Sequence, residues 1–135
     1  MKTRCGFSLV ELLVALIIVG IITTIAVVLY LGQARNGRRV DAINAIYSIS
    51  LAEENYRSSN TQYGTLAQVW NSVSASTAGY YTLAISNIAA TSYTITATAV
   101  GDQANDVESA VACSTLTFAM SSGTITKTPT ACWPS

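Results

Sequence analysis

The chain has 135 residues, of which 50% are apolar and only 10% charged, enough for one small domain plus one hydrophobic element. Seven Lys and Arg residues balance seven Asp and Glu residues, so the chain lacks the positive field that drives nucleic-acid binding. It contains no histidine, which removes the commonest general base and the commonest transition-metal ligand.

The first predicted element is a membrane-spanning helix. Residues 12–31 carry no charge, and twenty helical residues at about 1.5 Å each span roughly 30 Å, the thickness of the hydrocarbon core of a bilayer. A secretory signal has a shorter apolar core, of about 7 to 15 residues, followed by a small-residue cleavage site. This segment fits neither criterion, so we expect a membrane helix.

The charges around this helix leave its orientation open. Lys2 and Arg4 precede the helix and favour a cytoplasmic amino end, but arginines also follow it, at positions 35, 38 and 39. The cysteines help to decide, because Cys113 and Cys132 enclose a short loop in a threonine-rich, strand-like region that suits an oxidising compartment. We therefore expect the segment after the helix to lie outside the cytoplasm.

The segment "GFSLVELLVALIIVGIITTIA", residues 6–26, resembles the amino-terminal signature of type IV pilins. The shared features are a short basic leader that ends in Gly, an aromatic residue, a Glu four positions further on, and a long apolar helix. The resemblance implies that a prepilin peptidase cuts between Gly6 and Phe7 on the cytoplasmic side of the membrane and methylates the new amino terminus, Phe7. Cys5 then leaves with the leader, while the helix stays in the mature protein.

Glu11 is the one acidic residue at the edge of this apolar stretch. A carboxylate within a membrane segment costs roughly 2.5 to 3.5 kcal/mol on insertion scales, so such residues usually have a partner or a function. The resemblance implies that Glu11 pairs with the terminal amine of a neighbouring subunit as it enters the filament. The alternative is that Glu11 lies in the headgroup layer without a specific role.

Helical periodicity continues beyond the membrane stretch. Val40, Ile43, Tyr47 and Leu51 fall at spacings of 3, 4 and 4, which predicts a stripe packed on a core. The adjacent residues Glu53 and Glu54 point in different directions on a helix, and we expect a solvated face there rather than an acid/base pair.

The remainder predicts an antiparallel sheet with loops. "YYTLAIS" from Tyr80 and "SYTITATAV" from Ser92 are strand-like, and "STLTFAMSSGTITKT" predicts a hairpin that turns at residues 121–123. Residues 60–79 and 101–112 are expected to be loops or short irregular pieces. The second of these contains carboxylates that allow calcium binding, but their spacing matches no EF-hand, and a solvated loop is the preferred interpretation: Asp102, Asp106 and Glu108.

The resemblance also implies a disulfide between Cys113 and Cys132, which would close the carboxy-terminal segment. The expected fold is α+β, the pilin fold: one long amino-terminal helix, half membrane-embedded and half amphipathic, packed on a three- to four-stranded antiparallel sheet. The predicted divisions are the leader 1–6, the transmembrane or filament-core helix 7–31 and the globular head 32–135. Within the head we expect helix 32–58, loop 59–79, sheet 80–128 and the disulfide-bounded segment 113–132.

Enzyme chemistry finds little support. A Ser or Cys nucleophile lacks its usual histidine base, and no Gly-rich phosphate loop is present in the sequence. We therefore expect no catalytic residues, no metal and no cofactor.

The resemblance implies a structural subunit of a type IV pilus. The short head and Cys-Trp ending favour a minor pilin, which primes assembly or is incorporated in the pilus, over a major pilin. Its expected partners are other pilin subunits in a helical polymer, prepilin peptidase, the inner-membrane pilus assembly machinery and, before assembly, membrane lipid. Its expected location is the inner membrane, with the head in the periplasm, and then the extracellular pilus.

Three further alternatives remain. A type II secretion pseudopilin is disfavoured because a disulfide-closed terminus is not typical of that branch. A DNA-capturing pilin for natural transformation needs an exposed basic patch, and past the start of the second helical half the sequence offers only Arg57 and Lys127. Nucleic acid is therefore not an expected partner. A third class, a tethered periplasmic enzyme, has no need for Glu11.

Overall fold

The computed structural model describes residues 8–134 and, within that range, every side chain except that of Val28. The chain divides into two units, of which the first ends at Ala34 and the second begins at Arg35. Helix α1, Leu9–Ser59, supplies the described secondary structure of the first unit and then begins the second.

After α1, the second unit contains one short α-helix, six strands and two short 3-10 helices. They are α2 (Leu66–Trp70), β1 (Tyr81–Ser86), β2 (Ser92–Ala99), the first 3-10 helix (Gly101–Asn105), β3 (Val107–Glu108), β4 (Val111–Ala112), β5 (Thr115–Ser121), β6 (Thr124–Thr128) and the second 3-10 helix (Thr130–Cys132).

Four of the strands form one antiparallel sheet, in the order β1-β2-β5-β6. Its strands follow the expected alternation, since Tyr93, Ile95 and Ala97 are buried on one face. The β5–β6 hairpin turns at Ser122 and Gly123, both of which have positive φ, the geometry that a two-residue hairpin turn requires. The predicted α+β fold with a three- to four-stranded antiparallel sheet is confirmed, with four strands.

The second half of α1 packs on this sheet through a stripe of small and branched residues. The buried members are Ala42, Ile43, Ala45, Ile46 and Ile49. They join one cluster with the inward side chains of the sheet, including those of Tyr81, Tyr93, Ile95, Leu116 and Phe118. Alanine at two stripe positions leaves room for close packing on the sheet, while the isoleucines fill the space between the helix and the sheet.

The predicted stripe was therefore wrong in most of its members. Of its four residues only Ile43 is buried, whereas Val40 is 50% exposed, Tyr47 38% and Leu51 67%. The reason is that two overlapping helical stripes exist in this segment, and local spacing does not distinguish them. The face that carries Ala42 and Ala45 fits against the sheet, and Val40 and Leu51 lie outside it. Tyr47 lies at the border of the core, with its ring edge-on to those of Phe118 and Trp133.

The prediction of a solvated face at Glu53 and Glu54 was also wrong for one residue. Glu54 is exposed, but Glu53 is completely buried. The backbone N–H of Gly64 donates a hydrogen bond of 2.7 Å to Glu53 Oε2. Burial raises the pKa of Glu53, and this hydrogen bond partly offsets that effect. Glu53 thus fastens the chain after α1 to the helix.

Candidate functional site

The part of α1 that lies in the first unit, up to Leu31, is apolar on every side. Of the described residues, this helix is the one long and apolar enough to cross a membrane, with a mean hydropathy of 3.1 over its best window, none of which is buried. Its large apolar side chains are exposed by 40% (Leu31) to 82% (Leu9). Apolar surface of this extent is covered by lipid or by other apolar helices.

Glu11 lies in the first turn of α1 and is exposed. Within residues 8–134, no cation forms an ion pair with it. An acidic side chain in a helix's first turn interacts favourably with the helix dipole. The two residues of the predicted cleavage site, Gly6 and Phe7, lie outside the described residues.

A network of ion pairs connects the part of α1 that begins the second unit with the segment that precedes Cys113. Arg39 donates two hydrogen bonds to Asp106, of 2.7 and 2.9 Å, and one of 3.2 Å to Glu108. Arg39 and Asp106 are both buried. These hydrogen bonds, above all those to Asp106, raise the pKa of Arg39 despite its burial.

A second, exposed part of the network contains Arg35, Arg38 and Asp102. Arg35 donates hydrogen bonds of 3.1 and 2.8 Å to the two oxygens of Asp102, and these hold the pKa of Asp102 below its usual value. Arg38 Nη1 lies 3.9 Å from Asp102 Oδ2. The Arg38 guanidinium also lies over the ring of Tyr80, 4.5 Å from its centroid.

Most of residues 101–112 are exposed, as expected of a solvated loop with short irregular pieces, but its carboxylates are engaged by the head. Each of its three carboxylates pairs with an arginine of α1, and Asp106 is only 2% exposed. Among residues 8–134, no group of three His, Cys, Asp or Glu side chains is arranged to hold a metal ion. The side chain of Gln103 adds a further link, because its Nε2 donates to the backbone oxygen of Arg35 at 2.9 Å.

The carboxy-terminal segment is held by a disulfide between Cys113 and Cys132, both buried, with their Cα atoms 5.7 Å apart. The pairing implied by the resemblance is thus confirmed. Next to it, Trp133 is 8% exposed, and Lys127 Nζ lies 5.6 Å from the Trp133 ring. Lys127 also donates a hydrogen bond of 2.8 Å to the hydroxyl oxygen of Tyr47.

The remaining described cation, Arg57, is at the end of α1. Its guanidinium donates to two backbone oxygens, of Ala90 at 2.9 Å and of Asn60 at 2.6 Å. The two cations that sequence reasoning offered for DNA, Arg57 and Lys127, therefore both make hydrogen bonds within the head. They are separate from the Arg35–Arg38–Asp102 group, which sequence reasoning did not identify as a site.

Two models of known protein families match this sequence. Residues 1–27 match the model of the prokaryotic N-terminal methylation motif. Residues 29–117, more than half of the chain, match the family model described as "Type IV minor pilin ComP, DNA uptake sequence receptor". A search of the curated proteins finds no match.

The methylation motif, the apolar helix and the helix-on-sheet head with its disulfide agree with these matches, and the predicted resemblance to type IV pilins is confirmed. The chain belongs to the ComP family of type IV minor pilins.

Proposed function

We propose that this minor pilin is made as a membrane-inserted precursor, is cut between Gly6 and Phe7, is methylated at Phe7 and then enters a type IV pilus through its amino-terminal helix. The observation that carries this proposal is the exposure of the large apolar side chains of the helix from Leu9 to Leu31, which are 40% to 82% exposed. Lipid covers them before assembly, and the apolar helices of other pilins cover them in the filament.

In this proposal, Glu11 favours the transfer of the helix from the bilayer to the filament. Lipid tails are as apolar as neighbouring helices, so the transfer of an apolar helix from bilayer to filament gains little hydrophobic free energy. A free α-amino group has a reference pKa of about 8 and is largely protonated at neutral pH. The methylated amine of Phe7 in an adjoining subunit would neutralise the Glu11 carboxylate and thereby favour entry into the filament.

The head has the properties of a domain outside the cytoplasm. A disulfide such as Cys113–Cys132 persists in an oxidising compartment, which supports a head that lies in the periplasm before assembly and outside the cell afterwards. The cytoplasmic amino end then meets the prepilin peptidase, and the inner-membrane assembly machinery acts on the processed subunit.

Two measurements test this proposal. Mass spectrometry of the mature protein is expected to find Phe7 as the first residue, with one added methyl group. The Glu11→Ala variant is expected to be processed normally but lost from sheared filaments, as measured by immunoblot. Glu54→Ala, which removes an exposed carboxylate of the head, is the matched control and should enter filaments normally.

A mature protein that still begins with the leader would contradict the proposal. So would Glu11→Ala present in filaments at the level of the control, because the carboxylate would then have no part in assembly.

DNA capture is the second candidate function, and the family description favours it, since it names a DNA uptake sequence receptor. The charges of the described head favour only weak binding. Residues 35–134 contain five cationic and six carboxylate side chains, so the head has no excess of positive charge. We propose that the pilus presents this head to DNA and that the contact is weak for one subunit.

The test is a gel-shift titration of the full mature chain in neutral detergent micelles with duplex DNA at low and moderate salt. Binding at low salt that weakens steeply as salt increases supports DNA capture. No shift at low salt removes the DNA role and leaves the filament role intact.

A further inference from the structure

The cations of the head differ in whether their side chains already donate hydrogen bonds within the protein. A cation that donates none has its donors available for a phosphate group. Arg35, Arg39, Arg57 and Lys127 each donate to a carboxylate, a backbone oxygen or a hydroxyl oxygen of the head. Within residues 8–134, Arg38 is the one cation whose side chain donates no hydrogen bond, because its nearest carboxylate oxygen, on Asp102, is 3.9 Å away.

The position of Arg38 suits it to bind an anion from solution. Its side chain is 35% exposed. Stacking on Tyr80, 4.5 Å from the ring centroid, restricts the orientation of the planar guanidinium. A guanidinium held in this way presents a fork of N–H donors that matches a phosphate group and loses little conformational freedom when it binds one.

A second cation and one carboxylate complete the surface. The side chain of Arg35 is 21% exposed and that of Asp102 is 52% exposed. Asp102 lies between the two arginines, so it lowers the positive potential that an approaching phosphate meets. We call Arg35, Arg38, Tyr80 and Asp102 the Arg38 patch; all four lie within the residues matched by the family model.

We propose that the Arg38 patch contacts the phosphate backbone of DNA, with Arg38 as the principal donor and Asp102 limiting the affinity. This inference rests on the proposed DNA capture and adds to it the residues that make the contact. A phosphate contact carries no base information, so the Arg38 patch would position the head on DNA without selecting a sequence.

The experiment compares variants of the full mature chain in neutral detergent micelles. Binding to a short, fluorescein-labelled DNA duplex of mixed sequence is followed by fluorescence anisotropy at several salt concentrations. Arg38→Gln is expected to weaken binding by about three- to tenfold and to reduce the slope of log K against log salt by about 0.9, the value for one lost phosphate contact. Asp102→Asn is expected to strengthen binding.

Arg57→Gln is the matched control, because it removes the same charge from a guanidinium that already donates to Ala90 and Asn60. It should change the affinity by much less than Arg38→Gln. Thermal unfolding of each variant verifies that the fold is kept. Arg38→Lys keeps the charge without the fork and is expected to restore only part of the affinity.

The outcomes separate this inference from the proposal on which it rests. If the unaltered chain binds no DNA at low salt, DNA capture and the Arg38 patch both fail. If the unaltered chain binds but Arg38→Gln binds equally well, DNA capture survives and the Arg38 patch is excluded as its site. Unchanged DNA binding together with loss of Arg38→Gln from filaments would instead identify the patch as a contact between pilins.

Discussion

Arg39 and Asp106 are 67 residues apart in the chain and form a buried ion pair with two nitrogen–oxygen distances, 2.7 and 2.9 Å. Arg39 lies on α1 and Asp106 follows the first 3-10 helix, so the pair fixes the segment that leads to Cys113 against the helix. Glu108 accepts a third hydrogen bond from the same guanidinium. The pair therefore connects the core helix with the disulfide-closed end of the head.

We expect Arg39→Ala to lower the free energy of unfolding by about 3 to 5 kcal/mol, because it leaves the Asp106 carboxylate buried without its counter-charge. Urea unfolding of the full mature chain in micelles, followed by tryptophan fluorescence, measures this. Arg35→Ala is the matched control, since its pair with Asp102 is accessible to solvent and its loss should lower the stability much less. Equal losses in the two variants would show that the burial of the Arg39 pair has no energetic consequence.

Replacing both Cys113 and Cys132 by serine is expected to lower the free energy of unfolding by about 3 kcal/mol, because the disulfide restricts the unfolded chain. The two residues are separated by 19 positions. Unfolding in urea with and without a reducing agent gives the same comparison for the unaltered chain, and the double variant should not respond to the reducing agent. A reducing agent without effect on the unaltered chain would contradict this prediction.

Glu53 should make the stability of the head depend on pH. Burial raises its folded-state pKa above the unfolded value, so the folded state holds the proton more tightly. Its contribution to stability is complete below the unfolded pKa and is lost as pH rises through the folded pKa. Glu53→Gln cannot ionise, so the unaltered chain should lose stability relative to this variant as pH rises from about 4 to 8.

Urea unfolding at several pH values measures that difference. Glu54→Gln, at the neighbouring exposed position, is the control and should differ from the unaltered chain by an amount that varies less with pH. A difference between the chain and Glu53→Gln that stays constant over this range would show that Glu53 has the same pKa folded and unfolded.

Gly64 and Gly37 should respond in opposite directions to alanine. A Cβ atom at Gly64 would lie 2.6 Å from Val69 Cγ1 and 3.1 Å from Tyr56 Cδ1, so Gly64→Ala is expected to cost about 1 to 3 kcal/mol. At Gly37, inside α1, a Cβ atom would meet nothing within 4 Å. Gly37→Ala should therefore stabilise the helix by up to about 1 kcal/mol. The change in unfolding temperature of the two variants, which carry the same substitution, measures this difference. A Gly64→Ala variant as stable as the unaltered chain would contradict the predicted clash with Val69.

The amino-acid sequence alone determined the features that depend on residues close together in the chain. The charge-free run of residues 12–31 predicts the apolar helix, and the alternation in β2 predicts its buried face. The hairpin turn follows from Gly123, which takes a positive φ without steric cost. Each of these patterns lies within a few residues, where helix and strand geometry apply directly.

The tertiary structure decided which face of α1 is buried and which charges meet. The stripe of Val40, Tyr47 and Leu51 and the stripe of Ala42 and Ile46 have similar helical spacing, and only contact with the sheet distinguishes them. The arginines of α1 pair with carboxylates more than sixty residues away, a distance over which local periodicity carries no information. Burial and pairing are properties of the packed head, so they appear only once the chain has folded.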